Sequence, residues 1–159
     1  MLVKGITDED FVNYKVPSMF ISMNTCTLKC DIENGTHDCQ NSHLLKQPSV
    51  DIDIVDLVCR YLTNPITEAV VFGGLEPFDQ LTDLYDFIFE LRYAQENNDD
   101  VIIYTGYTEE EVAGKLEVLY QFPNIIVKFG RYRPDEKPHF DRILGVNLAS
   151  DNQYAKKIS

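Results

Sequence analysis

The sequence predicts an α/β protein with a mainly parallel sheet, and three observations carry that reading. Segments of helical periodicity alternate with short apolar runs, the runs are continuous, and each is followed by an unusual segment. Continuous apolar runs belong to strands buried on both faces, the habit of parallel sheets flanked by helices. Right-handed crossovers then place every strand's C-terminal end on one side of the sheet, where such folds bind ligands.

Met19-Phe-Ile-Ser-Met23 reads as the first strand. Ile54, Leu57, Val58, Tyr61 and Leu62 recur at helical spacing, and Asn64-Pro65 ends that helix. Ala69–Phe72 is a second strand. Leu81, Leu84, Tyr85, Ile88 and Leu91 mark a second amphipathic helix, with Asp79 read as its cap. Val101–Tyr104 is a third strand. Thr108 and Glu111 form a capping box ahead of Val112, Leu116 and Leu119, and Pro123 breaks that helix. Ile125–Val127 opens a fourth strand and Ile143–Val146 reads as a fifth. No repeat or linker interrupts the 159 residues, so residues 1–159 read as one domain.

A formal charge of −12 argues against nucleic acid or an anionic membrane as partner, because counterion release needs a basic face. No stretch approaches the roughly 18 apolar residues of a membrane-spanning helix. The first residues, Met-Leu-Val-Lys-Gly-Ile-Thr-Asp-Glu-Asp, contain no apolar signal region. The expectation is a cytoplasmic protein, whose clustered thiols mean metal or redox chemistry more than disulfides.

Three thiols crowd into residues 24–43, directly after the first strand: Cys26-Thr-Leu-Lys-Cys30, then Cys39 after an eight-residue detour containing the turn pair Asn34-Gly35. Clustered thiolates suit iron–sulfur clusters, zinc or copper(I). A structural zinc takes four protein ligands and an ordinary cubane four cysteines, so three cysteines leave one metal position open. His37 and His43 flank Cys39 and support a zinc alternative, although loop histidines are more often merely polar. Cys59 lies within a helical pattern and reads as core packing in preference to a fourth ligand. His139 carries no case as a ligand.

The other strand ends carry their own signals. In Gly73-Gly-Leu-Glu-Pro77 the glycines allow close approach to a ligand, Glu76 can accept from a cationic amine, and Pro77 stiffens the turn. A plain strand-to-helix turn is the competing reading. Tyr104 and Tyr107, in Tyr104-Thr105-Gly-Tyr107, either stack on a base or pack. Lys128 and Arg131 read as solvated charge, with a carboxylate or a partner subunit as the alternative contact.

Taken in order, Cys26, Cys30, Cys39-Gln40-Asn41, Gly73-Gly-Leu-Glu-Pro77, Tyr104-Thr-Gly-Tyr107 and Ser150-Asp-Asn-Gln153 resemble the radical S-adenosylmethionine (SAM) superfamily. Within it, the chain resembles the small activating protein of the anaerobic (class III) ribonucleotide reductase, over residues 16–155. Two departures stand out: that family usually reads C-x3-C-x2-C, whereas the second spacing here is x8, and Gln40 replaces an aromatic. The resemblance implies a partial (β/α) barrel and a [4Fe-4S] cluster on Cys26, Cys30 and Cys39, with SAM on the open iron. It implies that Gly73, Gly74, Glu76 and Pro77 line the methionine end of SAM, and that Tyr104, Thr105, Ser150 and Asn152 serve its nucleoside. Asn152 and Gln153 enter only through this pattern.

The implied activity is reductive cleavage of SAM to methionine and a 5′-deoxyadenosyl radical. That radical takes hydrogen from a glycine of the large reductase subunit, with a reduced flavodoxin-like or ferredoxin-like protein as electron donor. No side chain is assigned a catalytic role, since the hard chemistry is the cofactor's. The alternatives are a small radical SAM enzyme acting on a low-molecular-weight substrate, and a non-catalytic zinc- or cluster-binding scaffold. The absence of a C-terminal extension to close a barrel favours the activase.

Overall fold

A computed structural model describes residues 1–35, 37 and 39–159; Thr36 and Asp38, both within the predicted cluster loop, lie outside the described residues. The strands are β1 (Leu2–Asp10), β2 (Ser18–Met23), β3 (Val50–Asp51), β4 (Ala69–Gly73), β5 (Asp100–Tyr104), β6 (Ile125–Phe129), β7 (His139–Asp141), β8 (Val146–Leu148) and β9 (Tyr154–Lys157). The α-helices are α1 (Lys29–Asn34), α2 (Ile54–Leu62), α3 (Leu81–Phe89) and α4 (Glu109–Leu116).

Seven strands form one sheet in the order β3-β1-β2-β4-β5-β6-β9. Its centre, β2 through β6, is parallel, while β1, β3 and β9 pair antiparallel at the edges. The α/β class and the parallel centre therefore agree with the sequence reading. Two edges remain, so the sheet does not close on itself. Among the described residues, no helix is long and apolar enough to cross a membrane.

The parallel strands follow one another in space as they do in sequence, so right-handed crossovers carry all the helices to one face. Alternate strand residues serve the two faces. Val70, Phe72, Val101, Ile103, Ile125 and Val127 meet Leu57, Val58, Leu84, Phe87 and Leu116 on the helical side. Val71, Ile102 and Ile126 point the other way, where no helix waits. That face is covered by Tyr14 from the β1–β2 connection and by Leu144 and Leu148 of the β7–β8 hairpin. Among the described residues, helices thus flank one face only.

Four local expectations are corrected. Residues 143–145 make a turn and Val146 opens β8 of the hairpin, in place of a fifth strand of the main sheet, because buried Asp141 accepts from Ile143 N–H and Leu144 N–H, both at 2.9 Å. The other Asp141 carboxylate oxygen takes Ala155 N–H at 3.0 Å, which ties the hairpin to the last strand. Cys59 is exposed, since α2 buries Leu57, Val58 and Tyr61 and turns the thiol outward. Asp79 does not cap α3; it accepts from Tyr107 Oη at 2.8 Å. Lys128 and Arg131, read as solvated, are 6% and 7% exposed.

Truncating Leu144 removes the hairpin's main anchor. Leu144→Ala is expected to cost about 2–5 kcal/mol of stability by chemical denaturation of the cluster-free protein. A loss below about 0.5 kcal/mol, typical of surface positions, contradicts the packing described.

Candidate metal and cofactor site

The C-terminal ends of β2, β4, β5 and β6 open into one cavity of about 570 Å³, a volume that suits a small-molecule ligand. Cys26, Cys30 and Cys39 line it, together with Gly74, Glu76, Tyr104, Thr105, Lys128 and Gln153. All three thiols are free and half-buried.

The thiol loop is shaped by short-range bonds. Leu28 takes the left-handed conformation (φ 53°), which costs a non-glycine residue energy. Its N–H reaches Cys26 Sγ at 3.3 Å. α1 then presents Cys30, and Gly35 ends the helix in the left-handed region that glycine adopts freely. Buried Asp31 accepts Cys39 N–H at 2.8 Å, so the long detour returns the third thiol beside the helix that carries the second.

Burial pushes the Cys26 thiol up to about 11, opposed by the Leu28 N–H and reinforced by Glu76 and the other two thiols. Burial also raises Cys30, with Cys39 adding to it, while Tyr132 N–H and the charges of Arg131 and Lys128 act the other way. Among the described residues no three His, Cys, Asp or Glu side chains already stand as a finished metal site. Soft donors facing one cavity suit an iron–sulfur cluster, whose binding completes the convergence. His43 also lines the cavity, exposed, with Nδ1 3.0 Å from Gln40 O.

Glu76 is the buried carboxylate of the site. It accepts from Phe78 N–H at 3.1 Å, Thr105 Oγ1 at 2.7 Å and Gly106 N–H at 2.9 Å, while its own N–H donates to Thr25 O at 2.8 Å. Burial raises its pKa, and the three bonds oppose that shift. A carboxylate offers about four acceptor positions, so one is left for a ligand. Lys128 Nζ donates to Gly130 O at 2.8 Å. Burial lowers its pKa to about 8, countered by Cys30 and Glu76. The cavity is therefore lined by a buried acid and a buried base.

The remaining predicted residues divide. Gly74 has φ +73°, and a Cβ there would stand 3.1 Å from Ser22 Oγ, so glycine is required. Gly73 is buried beneath the Phe20 ring and Pro77 sits at the start of the turn capped by Glu76; neither lines the cavity. Tyr104 donates to Asn13 O at 2.6 Å and lines the wall. Tyr107 faces away, towards Asp79 and Thr27. Ser150 and Asn152 lie behind the site: Asn152 Nδ2 donates to Arg131 O at 2.9 Å, and Ser150 Oγ is 2.8 Å from Asn152 Oδ1. Gln153 reaches the cavity instead, bonding Gly130 O at 3.2 Å.

Sequence reasoning missed Val12 and Asn13 from the β1–β2 connection, which no motif marks. It misread Lys128, although a lone charge inside the apolar run Ile125–Phe129 was an available signal.

The family described as "4Fe-4S single cluster domain" matches residues 17–153. The chain belongs to that family. No curated protein and no solved structure matches it. Three of its thiols line one cavity, and the fourth, Cys59, is exposed on α2.

Because burial raises the pKa of the Cys26 and Cys30 thiols, metal must displace their protons, and affinity must rise with pH. Titration of the apo protein with Cd²⁺ is expected to show tighter binding at about pH 9 than at about pH 7. A pH-independent affinity contradicts the burial of the thiols.

Proposed function

We propose that the protein is a radical SAM activase, which generates a glycyl radical on a partner protein of the anaerobic ribonucleotide reductase type. The reading is supported above all by one observation: the three thiols and the buried carboxylate of Gly73-Gly-Leu-Glu-Pro77 line the same cavity of a 4Fe-4S family chain.

Cys26, Cys30 and Cys39 would hold the cluster in this reading, leaving one iron position for SAM. The bound cluster would supply the electron for reductive cleavage of SAM, and the hydrogen removed would come from the partner's glycine. The chain's own residues bind, orient and shield. Glu76 meets the ammonium with its remaining acceptor position, and Lys128 meets the carboxylate. Gly74 lets the SAM backbone approach without a Cβ in the way. Phe20, Tyr104 and Leu148 supply apolar wall, which excludes water from a reactive radical. The electron donor is a reduced flavodoxin-like or ferredoxin-like protein.

His43, placed on the cavity wall, is the observation that favours a zinc scaffold of the Cys3His type. That reading leaves Glu76 and Lys128 without a role.

Anaerobic reconstitution with iron and sulfide separates the two. Cys26→Ala, Cys30→Ala and Cys39→Ala should each abolish a stable cluster, whereas Cys59→Ala should retain wild-type iron content. Glu76→Gln removes the charge and keeps the shape; SAM affinity is expected to fall about tenfold or more, with iron content unchanged. Wild-type affinity in that variant contradicts the ammonium contact. A purified protein that takes one zinc and no iron favours the scaffold.

A further inference from the structure

The helix that carries Cys30 has little of its own to hold it. α1 is six residues long, and no side chain caps its start; helices this short are unstable in isolation. Its anchorage comes from elsewhere. Asn34 Nδ2 donates to Tyr132 O at 3.1 Å. Glu33 Oε2 lies 3.2 Å from Arg131 Nε, an ion pair without the alignment of a hydrogen bond, and Lys29 Nζ lies 3.5 Å from Glu111 Oε1.

Arg131 sits at the centre of this anchorage. Its guanidinium forks onto Glu111 with two bonds of 2.7 Å, and its Cζ stands 5.7 Å from the centroid of the Tyr107 ring. Lys29 Nζ lies 4.8 Å from the same centroid. The Tyr107 hydroxyl is fixed by Asp79 and lies 3.4 Å from Thr27 Oγ1, between the first two thiols. Thr27, Lys29 and Glu33, spread across the thiol loop, thus all reach Tyr107, Glu111 or Arg131. None of those three side chains lines the thiol cavity.

We propose that Arg131, braced by Glu111 and stacked on Tyr107, is a positioning residue that clamps the thiol-bearing helix through Glu33 and so holds Cys30 in place for the cluster. The proposal rests on the reading of Cys26, Cys30 and Cys39 as cluster ligands. Its physics is that of a planar fork matched to a carboxylate and an aromatic face, which lysine cannot reproduce. A clamp of this kind acts on retention of the metal, as supporting residues around metal sites commonly do. Because the Glu33 side chain is 56% exposed, its share of the clamp is open to screening by salt.

The test is the anaerobic rate of iron release to a chelator from the reconstituted protein, at low and high salt. Wild type should release iron faster as salt rises. Glu33→Gln should release it about threefold faster at low salt and show little further response to salt, with the melting temperature of the cluster-free protein unchanged. Arg131→Met should exceed that effect and broaden the paramagnetic resonance signal of the reduced cluster. Glu33 is a surface residue, so its variant folds even where Arg131→Met does not. A wild-type cluster whose release is matched by Glu33→Gln at both salt concentrations overturns the clamp alone. A wild type that assembles no cluster overturns the ligand assignment beneath it as well.

Discussion

The site depends on the Glu76 carboxylate. A buried negative charge is costly unless donors surround it, and Glu76 finds them on two segments: Phe78 N–H in its own turn, and Thr105 Oγ1 and Gly106 N–H after β5. Its backbone N–H meanwhile holds Thr25 O, the residue before the first thiol. One residue therefore stitches the ends of β2, β4 and β5 together. The same side chain lines the cavity and keeps one acceptor position beyond the three that fix these loops.

Strand order does the rest. Consecutive parallel strands put their helices on one face and their ligand-binding ends on one rim. The opposite face is closed by Tyr14 and by the β7–β8 hairpin, whose Leu148 both packs on Ile102 and Ile126's face and borders the cavity. The hairpin thus takes the place of a second helical layer and walls the site. Buried Asp141 keeps it there by bonding both its turn and β9.

What could be read from the sequence was what short-range pattern controls. The apolar runs of β2, β4, β5 and β6 are unbroken, and the segments after them carry Cys, Gly and Tyr at conspicuous positions, so the sheet centre and the converging loops were legible. The edges were not. β1 ends in Asp8-Glu-Asp10 and β9 reads Tyr-Ala-Lys-Lys, residue types with little strand preference that are held by pairing to β2 and β6. Lysines on an edge strand are expected once the sheet is known, since they discourage further pairing. Arg131 and Lys128 were misread because their burial depends on segments distant in sequence, Glu33 and Glu111 for one and the strand end at Thr105, whose carbonyl lies 3.5 Å from Lys128 Nζ, for the other. Cys59 was misread because its helix buries three side chains and the thiol falls just beyond that stripe.

In the proposed site three thiolates of one cavity hold a cluster with one iron left open for SAM. Mössbauer spectroscopy of the protein reconstituted with ⁵⁷Fe, recorded with and without SAM, is the decisive experiment. A [4Fe-4S] spectrum in which one iron site becomes distinct when SAM is added is expected. Four irons indifferent to SAM, or a protein that retains no iron, contradict the proposed site.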